Sequence, residues 1–445
     1  MKKRNKRLKP AGTKQKLALG LLFMFGGFGL SAQTLDLETC LRMADTANLT
    51  IRNARLDVAI NQKQIAAYNA ARLPKVNLSA DYKYNAIIPG QLIPAEFFGG
   101  PPGTYQTVAF GVPFNLGNTI QLSQVLYNPQ VNYAIQALNL NQKIIEIQQR
   151  ITEQDVKNQV ASTFFNLQAI TKQITFLEEN VANMNKLIRN MDLMAKEGLV
   201  ITTEADKLRI NRLNVENSLQ SIKATRDQLE ALLKIMIGMD PQQTITLSAD
   251  DLVQKSILHD KEEVNHPELE LLDTQLQLNK EERKGTTMAY LPSLSFYAAY
   301  NYTYNINPED DFRTGIESAF IGLRLDWTLF DGLEKHNNQK KNAITREKIE
   351  NQQQLATQQL QLATDNARRQ IDIQMNALTI SKEQLALAEK VYKQSEIQFS
   401  EGTIGSNDLI TAENALQQAQ TNVVSAYVQL RQAELAYLKS IGNIK

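Results

Sequence analysis

Residues 130–197 and 333–400 each run without a single proline or glycine. Helix breakers punctuate most chains far more often than that, so each run predicts one uninterrupted helix. At ~1.5 Å per residue, each would be on the order of 100 Å long. No compact domain in a 445-residue chain can enclose such a helix, so the molecule must be elongated. Asn128-Pro129 supplies an N-cap followed by proline at the first helical position, and Asp331 offers the same capping group to the second run. Gly198 and Gly402 end the two runs, and new helical patterns begin within a few residues. The chain therefore predicts two helical hairpins, with tips at 198–203 and 401–406.

The apolar residues of these helices fall on more than one seam. Ile371, Leu378 and Leu385 repeat every seven residues, and so do Ile373, Ile380 and Leu387. The seams are two residues apart, ~200° around a helix. A helix with apolar strips on nearly opposite sides has a neighbour on each side, like a stave in a ring. In the last helix Leu409, Leu416, Val423, Leu430 and Tyr437 make one line, and Ala412, Ala419, Ala426 and Ala433 make its partner line. Leu208, Val215, Ile222, Leu229 and Met236 repeat the arrangement earlier. Seven-residue spacing implies left-handed supercoiled packing, with the alanines allowing close approach.

The chain reads as a duplication. LPKVNLSADYKYN at 73–85 corresponds to LPSLSFYAAYNYTYN at 291–305, LSQVLYNP at 122–129 to LDWTLFDG at 325–332, and KEGLVITTEAD at 196–206 to SEGTIGSNDLI at 400–410. The first repeat spans 34–239: helices, strands at about 76–88 and 107–127, the long helix 130–197, its tip, and a helix over 204–237. A linker at 240–263 leads to the second repeat, 264–445. That repeat holds a helix, strands at about 293–305 and 318–330, the long helix 333–400, its tip, and a helix over 407–441. Residues 89–103 and 305–317 read as loops between strands, the first rich in proline and glycine.

Each strand alternates. Val76, Leu78, Ala80, Tyr82 and Tyr84 interleave with Asn77, Ser79, Asp81, Lys83 and Asn85, and Ile321, Leu323, Leu325 and Trp327 with Gly322, Arg324 and Asp326. Period two gives one apolar and one polar face. A half-buried sheet in a soluble sandwich alternates too. These strands, however, reach the ~10 residues of a bilayer crossing, and ten of the 14 tyrosines fall within 82–133 and 290–304, as membrane interfaces favour. Residues 1–33 predict a secretory signal peptide: eight Lys or Arg with no acid, a short apolar stretch from Leu17, and small residues at Ser31-Ala32. Glu38 precedes Cys40 too closely for a lipid-anchor motif. Beyond the signal no apolar window is long enough for a transmembrane helix, so any crossing must be made by strands. Four strands cannot close a barrel, and an open edge in lipid leaves backbone groups without partners. Chains must pool strands. Two chains give eight strands, whose bore side chains fill; three give twelve, enclosing an aqueous centre roughly 25 Å across the strand cylinder.

Lys+Arg is 48 against Asp+Glu 47, which gives no global argument for nucleic-acid binding. One cysteine and three scattered histidines predict neither a disulfide nor a metal site. No GxSxG, HExxH or P-loop motif is present, so neither an enzyme nor a cofactor is expected. A soluble periplasmic coiled-coil adaptor or scaffold is the alternative reading.

The signal, the duplication, the Leu-Pro strand entries (Leu73-Pro74, Leu291-Pro292), the Asn128-Pro129 and Asp331-Gly332 helix entries and the Gly198-Leu199 and Gly402-Thr403 tips together resemble the TolC family of outer-membrane efflux proteins. The resemblance implies mixed α and β structure: a homotrimeric duct with a twelve-strand β-barrel in the outer membrane and a long α-helical barrel in the periplasm. It implies the outer-membrane component of a tripartite efflux pump or type I secretion system, opened by a periplasmic adaptor and driven by an inner-membrane pump. It places adaptor docking at Gly198, Leu199, Gly402 and Thr403, where Glu197 and Glu401 stand in place of the family's valines. It places the periplasmic aperture at Asp408 and Glu204, with Ile404 and Phe399 at the family's locking arginine and tyrosine. A closed state held by apolar contacts is the corresponding expectation. Three Asp408 side chains would form an acidic ring; the same residue also suits a simple helix N-terminal charge.

Overall fold

The computed structural model describes residues 33–198, 200–247, 256–258, 264–309 and 311–443. The expected signal segment through Ala32 and the docking residue Leu199 lie outside the described residues. The chain opens with β1 (Gln33–Leu35), α1 (Leu37–Ala47) and α2 (Leu49–Asn69). Next come β2 (Lys75–Tyr84), β3 (Gly90–Pro94), β4 (Tyr105–Ala109) and β5 (Phe114–Tyr127). The first hairpin is α3 (Pro129–Lys196) with α4 (Thr202–Met236), followed by β6 (Ile245–Leu247). Then follow α5 (Pro267–Met288), β7 (Ser293–Asn307), β8 (Phe312–Asp326) and the second hairpin, α6 (Glu334–Ser400) with α7 (Ser406–Ser440). No described helix is long and apolar enough to cross a membrane.

Local chemistry sets the helix ends. Asn128 Oδ1 accepts from Gln130 N–H at 3.0 Å, and Pro129 occupies the first turn of α3. Asp331 Oδ2 accepts from Lys335 N–H at 3.0 Å at the start of α6. Asn48 joins two elements: its Oδ1 accepts from Thr50 N–H at 2.8 Å, and its Nδ2 donates to Met236 O at 2.8 Å at the far end of α4. Cys40 is fully buried in α1, and burial pushes its thiol up to about 11, which makes it an inert core residue.

β2, β5, β7 and β8 form one antiparallel sheet in that order, so β2 and β8 are its open edges. Register keeps the faces apart. Val76, Leu122, Ala298 and Ile321 share a row, and Leu78, Ile120, Tyr300 and Ala319 share another on the same face. The opposite face carries a polar ladder: Asn85 donates to Asn115 at 2.7 Å, and Asn115 to Asn305 at 2.6 Å. Two glycines make room for rings: a Cβ at Gly322 would meet Tyr297 at 2.8 Å, and one at Gly315 would meet the Tyr302 hydroxyl at 2.6 Å.

The strands depart from the expected boundaries: β2 ends at Tyr84, short of the expected 88, and the larger departures lie further on. The segment expected as one strand over 107–127 is two. β4 pairs back on β3 as a separate hairpin, and the sheet strand starts only at Phe114. Gly111, at φ 146°, and Pro113, which lacks an N–H, break the ladder between them. The proline- and glycine-rich stretch expected as loop therefore contains paired backbone. In the second repeat β7 runs to Asn307 and β8 starts at Phe312, so most of the loop expected at 305–317 is strand. Pairing with β7 carries the polar residues Arg313, Thr314 and Glu317 into the ladder despite their weak alternation. The same strand ends early, at Asp326, where Trp327 Nε1 turns back to donate to Tyr290 O at 3.0 Å.

The hairpins pack along the seven-residue lines. Leu409, Leu416, Val423 and Leu430 are buried on α7 together with Ala412, Ala419, Ala426 and Ala433. Leu208 and Val215 are buried on α4. On α6 the two seams differ: Ile371 and Leu378 are 9% and 0% exposed, whereas Ile373, Ile380 and Leu387 are 53%, 55% and 64% exposed. Among the described residues, one side of this helix has its neighbour within the protomer and the other does not.

The ends of α4 and α7 farthest from the tips meet the start of each repeat. Gly442, at φ 67°, follows α7, and Asn265 N–H donates to Ile441 O at 2.8 Å. A Cβ at Gly442 would stand 1.5 Å from Asn265 O. Gly442→Ala is thus expected to destabilise the protein by about 3 kcal/mol or more, through backbone strain and a collision with a backbone atom that cannot move aside. Thermal unfolding followed by circular dichroism checks this. A midpoint within ~1 °C of the parent would show that the α7–α5 junction yields freely.

Candidate functional site: the ends of the helical hairpins

Both tips are built alike. Glu197 and Glu401 are the last residues in helical conformation, and Gly198 and Gly402 follow at φ 74° and 71°. At the second tip Gly402 N–H donates to Phe399 O and Thr403 N–H to Gln398 O, each at 3.0 Å. These are the two bonds of a Schellman termination. At the first tip Gly198 N–H donates to Ala195 O at 3.1 Å. Among the described residues nothing lies within 4 Å of a Cβ built on either glycine, so both turns present open backbone.

Behind the tips sits an apolar cluster. Leu187, Ile188 and Met191 of α3, Ala205 and Leu208 of α4, Tyr392 and Phe399 of α6, and Leu409, Ala412 and Leu416 of α7 are all buried in it, and Ile404 packs against it half-buried. Phe399 and Ile404 are thus brought together, as apolar contacts within one protomer. Glu204, in the first turn of α4, reaches the other hairpin. Its Oε1 accepts from Lys207 Nζ at 2.8 Å and its Oε2 from the Ser406 hydroxyl at the start of α7. Hydrogen bonds from Lys207 and then Ser406 hold its carboxyl below the usual range. Asp408 stands apart from this group. It is exposed in the first turn of α7, and its Oδ2 accepts from Gly405 N–H at 3.4 Å, a weak capping contact.

Two residues of this region were not singled out from the sequence. Ser406 looked like an ordinary helix start. Glu413 is 3% exposed, and burial pushes its carboxyl up to about 7. A signal for it exists: Glu413, Gln420, Tyr427 and Glu434 repeat every seven residues, and all four are buried. This polar line runs beside the apolar ones and joins α7 to α3: Asn180 Nδ2 donates to Gln420 at 2.9 Å, and the Tyr427 hydroxyl to Gln168 at 3.1 Å. The seam between hairpins thus includes side-chain hydrogen bonds, and polar contacts also flank the apolar seams within each hairpin, as where Arg209 donates to Asp192 at 2.6 Å and Arg368 to the Tyr437 hydroxyl at 3.2 Å.

An open four-strand sheet with one polar face, continuous with two long helical hairpins, defines a membrane-duct protein of the mixed α and β kind. The outer membrane efflux protein family model matches residues 41–238 and 258–443, and the chain belongs to that family. Solved structures share the fold. The CmeC outer membrane channel of Campylobacter jejuni aligns with a TM-score of 0.68 at 15% identity, over 99% of this chain and 94% of that one. The outer membrane protein VceC of Vibrio cholerae gives 0.67 at 13% identity, over 92% and 96%. The open-state MtrE outer membrane channel of Neisseria gonorrhoeae gives 0.69 at 14% identity, over 92% and 89%. No curated protein matches the chain in sequence. The protein is an outer-membrane efflux duct that extends into the periplasm, and nothing in the family supports the soluble adaptor alternative.

Proposed function

We propose that three copies assemble into a passive exit duct, the outer-membrane component of a tripartite efflux pump or type I secretion system. The observation that carries this reading is the pair of unmet surfaces on one protomer: the exposed seam Ile373, Ile380 and Leu387, and the unpaired sheet edges β2 and β8. Copies arranged in a ring cover both at once, and twelve strands leave an aqueous bore. Mass by light scattering in detergent should equal three chains.

In this reading a periplasmic adaptor docks at Gly198, Leu199, Gly402 and Thr403. It moves the second hairpin against the first, and an inner-membrane pump supplies the energy. The aperture lies at the tips, around Asp408, Glu204, Ile404 and Phe399. The Glu204–Ser406 contact clasps the hairpins, and the polar line on α7 lets them exchange partners without exposing apolar surface. Three exposed Asp408 carboxylates around the opening would favour cations.

Ser406→Ala removes one hydrogen bond to a charged group, worth about 1.5–3 kcal/mol. It is therefore expected to shift the closed–open ratio by ~tenfold or more toward open. Single-channel conductance in planar bilayers reads the shift. An unchanged open probability would remove the clasp role.

A further inference from the structure

The duplication makes one half of the chain a template for the neighbour that the other half lacks. Inside the protomer α3 packs on α5 and on α7, both from the second repeat. Aligning Leu73 with Leu291 and Gly198 with Gly402 lays α2, α3 and α4 on α5, α6 and α7. In a ring, α6 then meets α2 and α4 of the next copy as α3 meets α5 and α7 of its own chain. Exposure agrees with this. Ala169 and Leu187 of α3 are buried, whereas their counterparts on α6, Ile373 and Val391, are more than half exposed. Thr274 of α5 is buried, and its counterpart on α2, Leu56, is 52% exposed.

The template becomes specific at its polar contacts. Lys143 of α3 pairs with Glu270 of α5 at 4.0 Å. The counterparts are Glu347 and Arg52, the same pair with its signs exchanged. The Tyr427 hydroxyl of α7 donates to Gln168 of α3 at 3.1 Å, and the Arg431 guanidinium lies 5.3 Å from the centre of the Phe165 ring. The counterparts set Lys223 against Asp372 and Asp227 against Arg369. All three contacts inside the chain thus map onto opposite charges between copies. Glu347, Arg369 and Asp372 are exposed on α6, as are Arg52 on α2 and Asp227 on α4. Lys223 is partly exposed and reaches Glu178 of α3 at 2.7 Å.

We propose that a seam of complementary charges sets the register between copies, with Glu347, Arg369 and Asp372 of α6 facing Arg52, Asp227 and Lys223 of the next copy. This rests on the ring reading above and names the chemistry of its joint. Along α6 the signs run minus, plus, minus, and on the facing surface plus, minus, plus, so a slipped pairing sets like charges opposite one another. The exposed apolar residues of α6 supply the close contact, and the charges decide which contact forms.

The test uses the full-length protein in detergent. Light scattering across a dilution series reads the concentration at which the ring falls to single chains. Glu347→Arg with Arg369→Glu reverses one face, and Arg52→Glu with Asp227→Arg reverses the other; neither double variant changes the net charge. Each should dissociate at a concentration about tenfold or more above that of the parent, with helical circular dichroism retained. The quadruple variant, in which opposite charges face each other again, should return to within about twofold of the parent. High salt should shrink the gap between parent and double variants. Double variants that dissociate together with the parent, or a quadruple variant no better than the doubles, overturn the charged seam and leave the ring standing. A parent with the mass of one chain at every concentration removes the ring, and the seam with it.

Discussion

Replacing Ile373, Ile380 and Leu387 together by lysine is expected to leave the protein unable to form its oligomer while each protomer still folds. The three side chains are more than half exposed, whereas Ile371 and Leu378, two residues before the first pair, are buried. The substitutions therefore leave most of the packing inside the chain in place, since a lysine at each position can carry its ammonium group into solvent. Burying an apolar side chain of this size contributes about 1.5–3 kcal/mol, and each protomer in a ring would repeat the three contacts. Placing three ammonium groups in that seam removes the gain and adds a desolvation cost for every charge. Light scattering in detergent should report the mass of a single chain, with helical circular dichroism retained. A mass of three chains with an unchanged unfolding midpoint would mean that the seam faces water and that the ring closes elsewhere.

The exposed seam also shows what the sequence could and could not convey. Two lines two residues apart said that α6 has two neighbours; only the fold shows which line is met inside the chain. The helix ends were legible because Gly198 and Gly402 are needed at positive φ, a local requirement. The strand faces were legible because period two is a property of the strand alone. What could not be read depends on distant pairing. The β3–β4 hairpin lies in a stretch whose prolines and glycines read as loop, and β8 begins at Phe312 because β7 is there to pair with it. Ser406 gains its importance only from Glu204, 202 positions earlier. The short parallel pair of β1 with β6 likewise ties the start of the described chain to the linker, and three residues on each side carry no pattern.

At the tips the largest pH effect is expected from Glu413. The carboxyl lies between α6 and α7, 3% exposed, with the Tyr392 hydroxyl and the Glu396 carboxylate facing it from α6. The apolar residues of α3 and α4 in the cluster add no charge. Desolvation raises its pKa from 4.5 to about 7, the Tyr392 hydroxyl opposes this, and Glu396 adds to it. A carboxyl raised in the fold is neutral there while the same group in the open chain is already ionised. The packed tip is therefore at full stability below pH ~4.5. It loses stability progressively between about 4.5 and 7, and the loss is complete above that. The shift corresponds to about 3 kcal/mol. Glu413→Gln keeps the shape and a hydrogen-bonding group but cannot ionise, so it should remove the pH dependence and make the tip more stable than the parent at pH 8. Hydrogen exchange of α7 amides near Leu416, measured at pH 5 and pH 8 and corrected for the intrinsic rate, reads this directly. The parent should lose protection at the higher pH and the variant should not. Equal protection of the parent at both values would mean that Glu413 finds a cation or water when charged, and that the tip is insensitive to periplasmic pH.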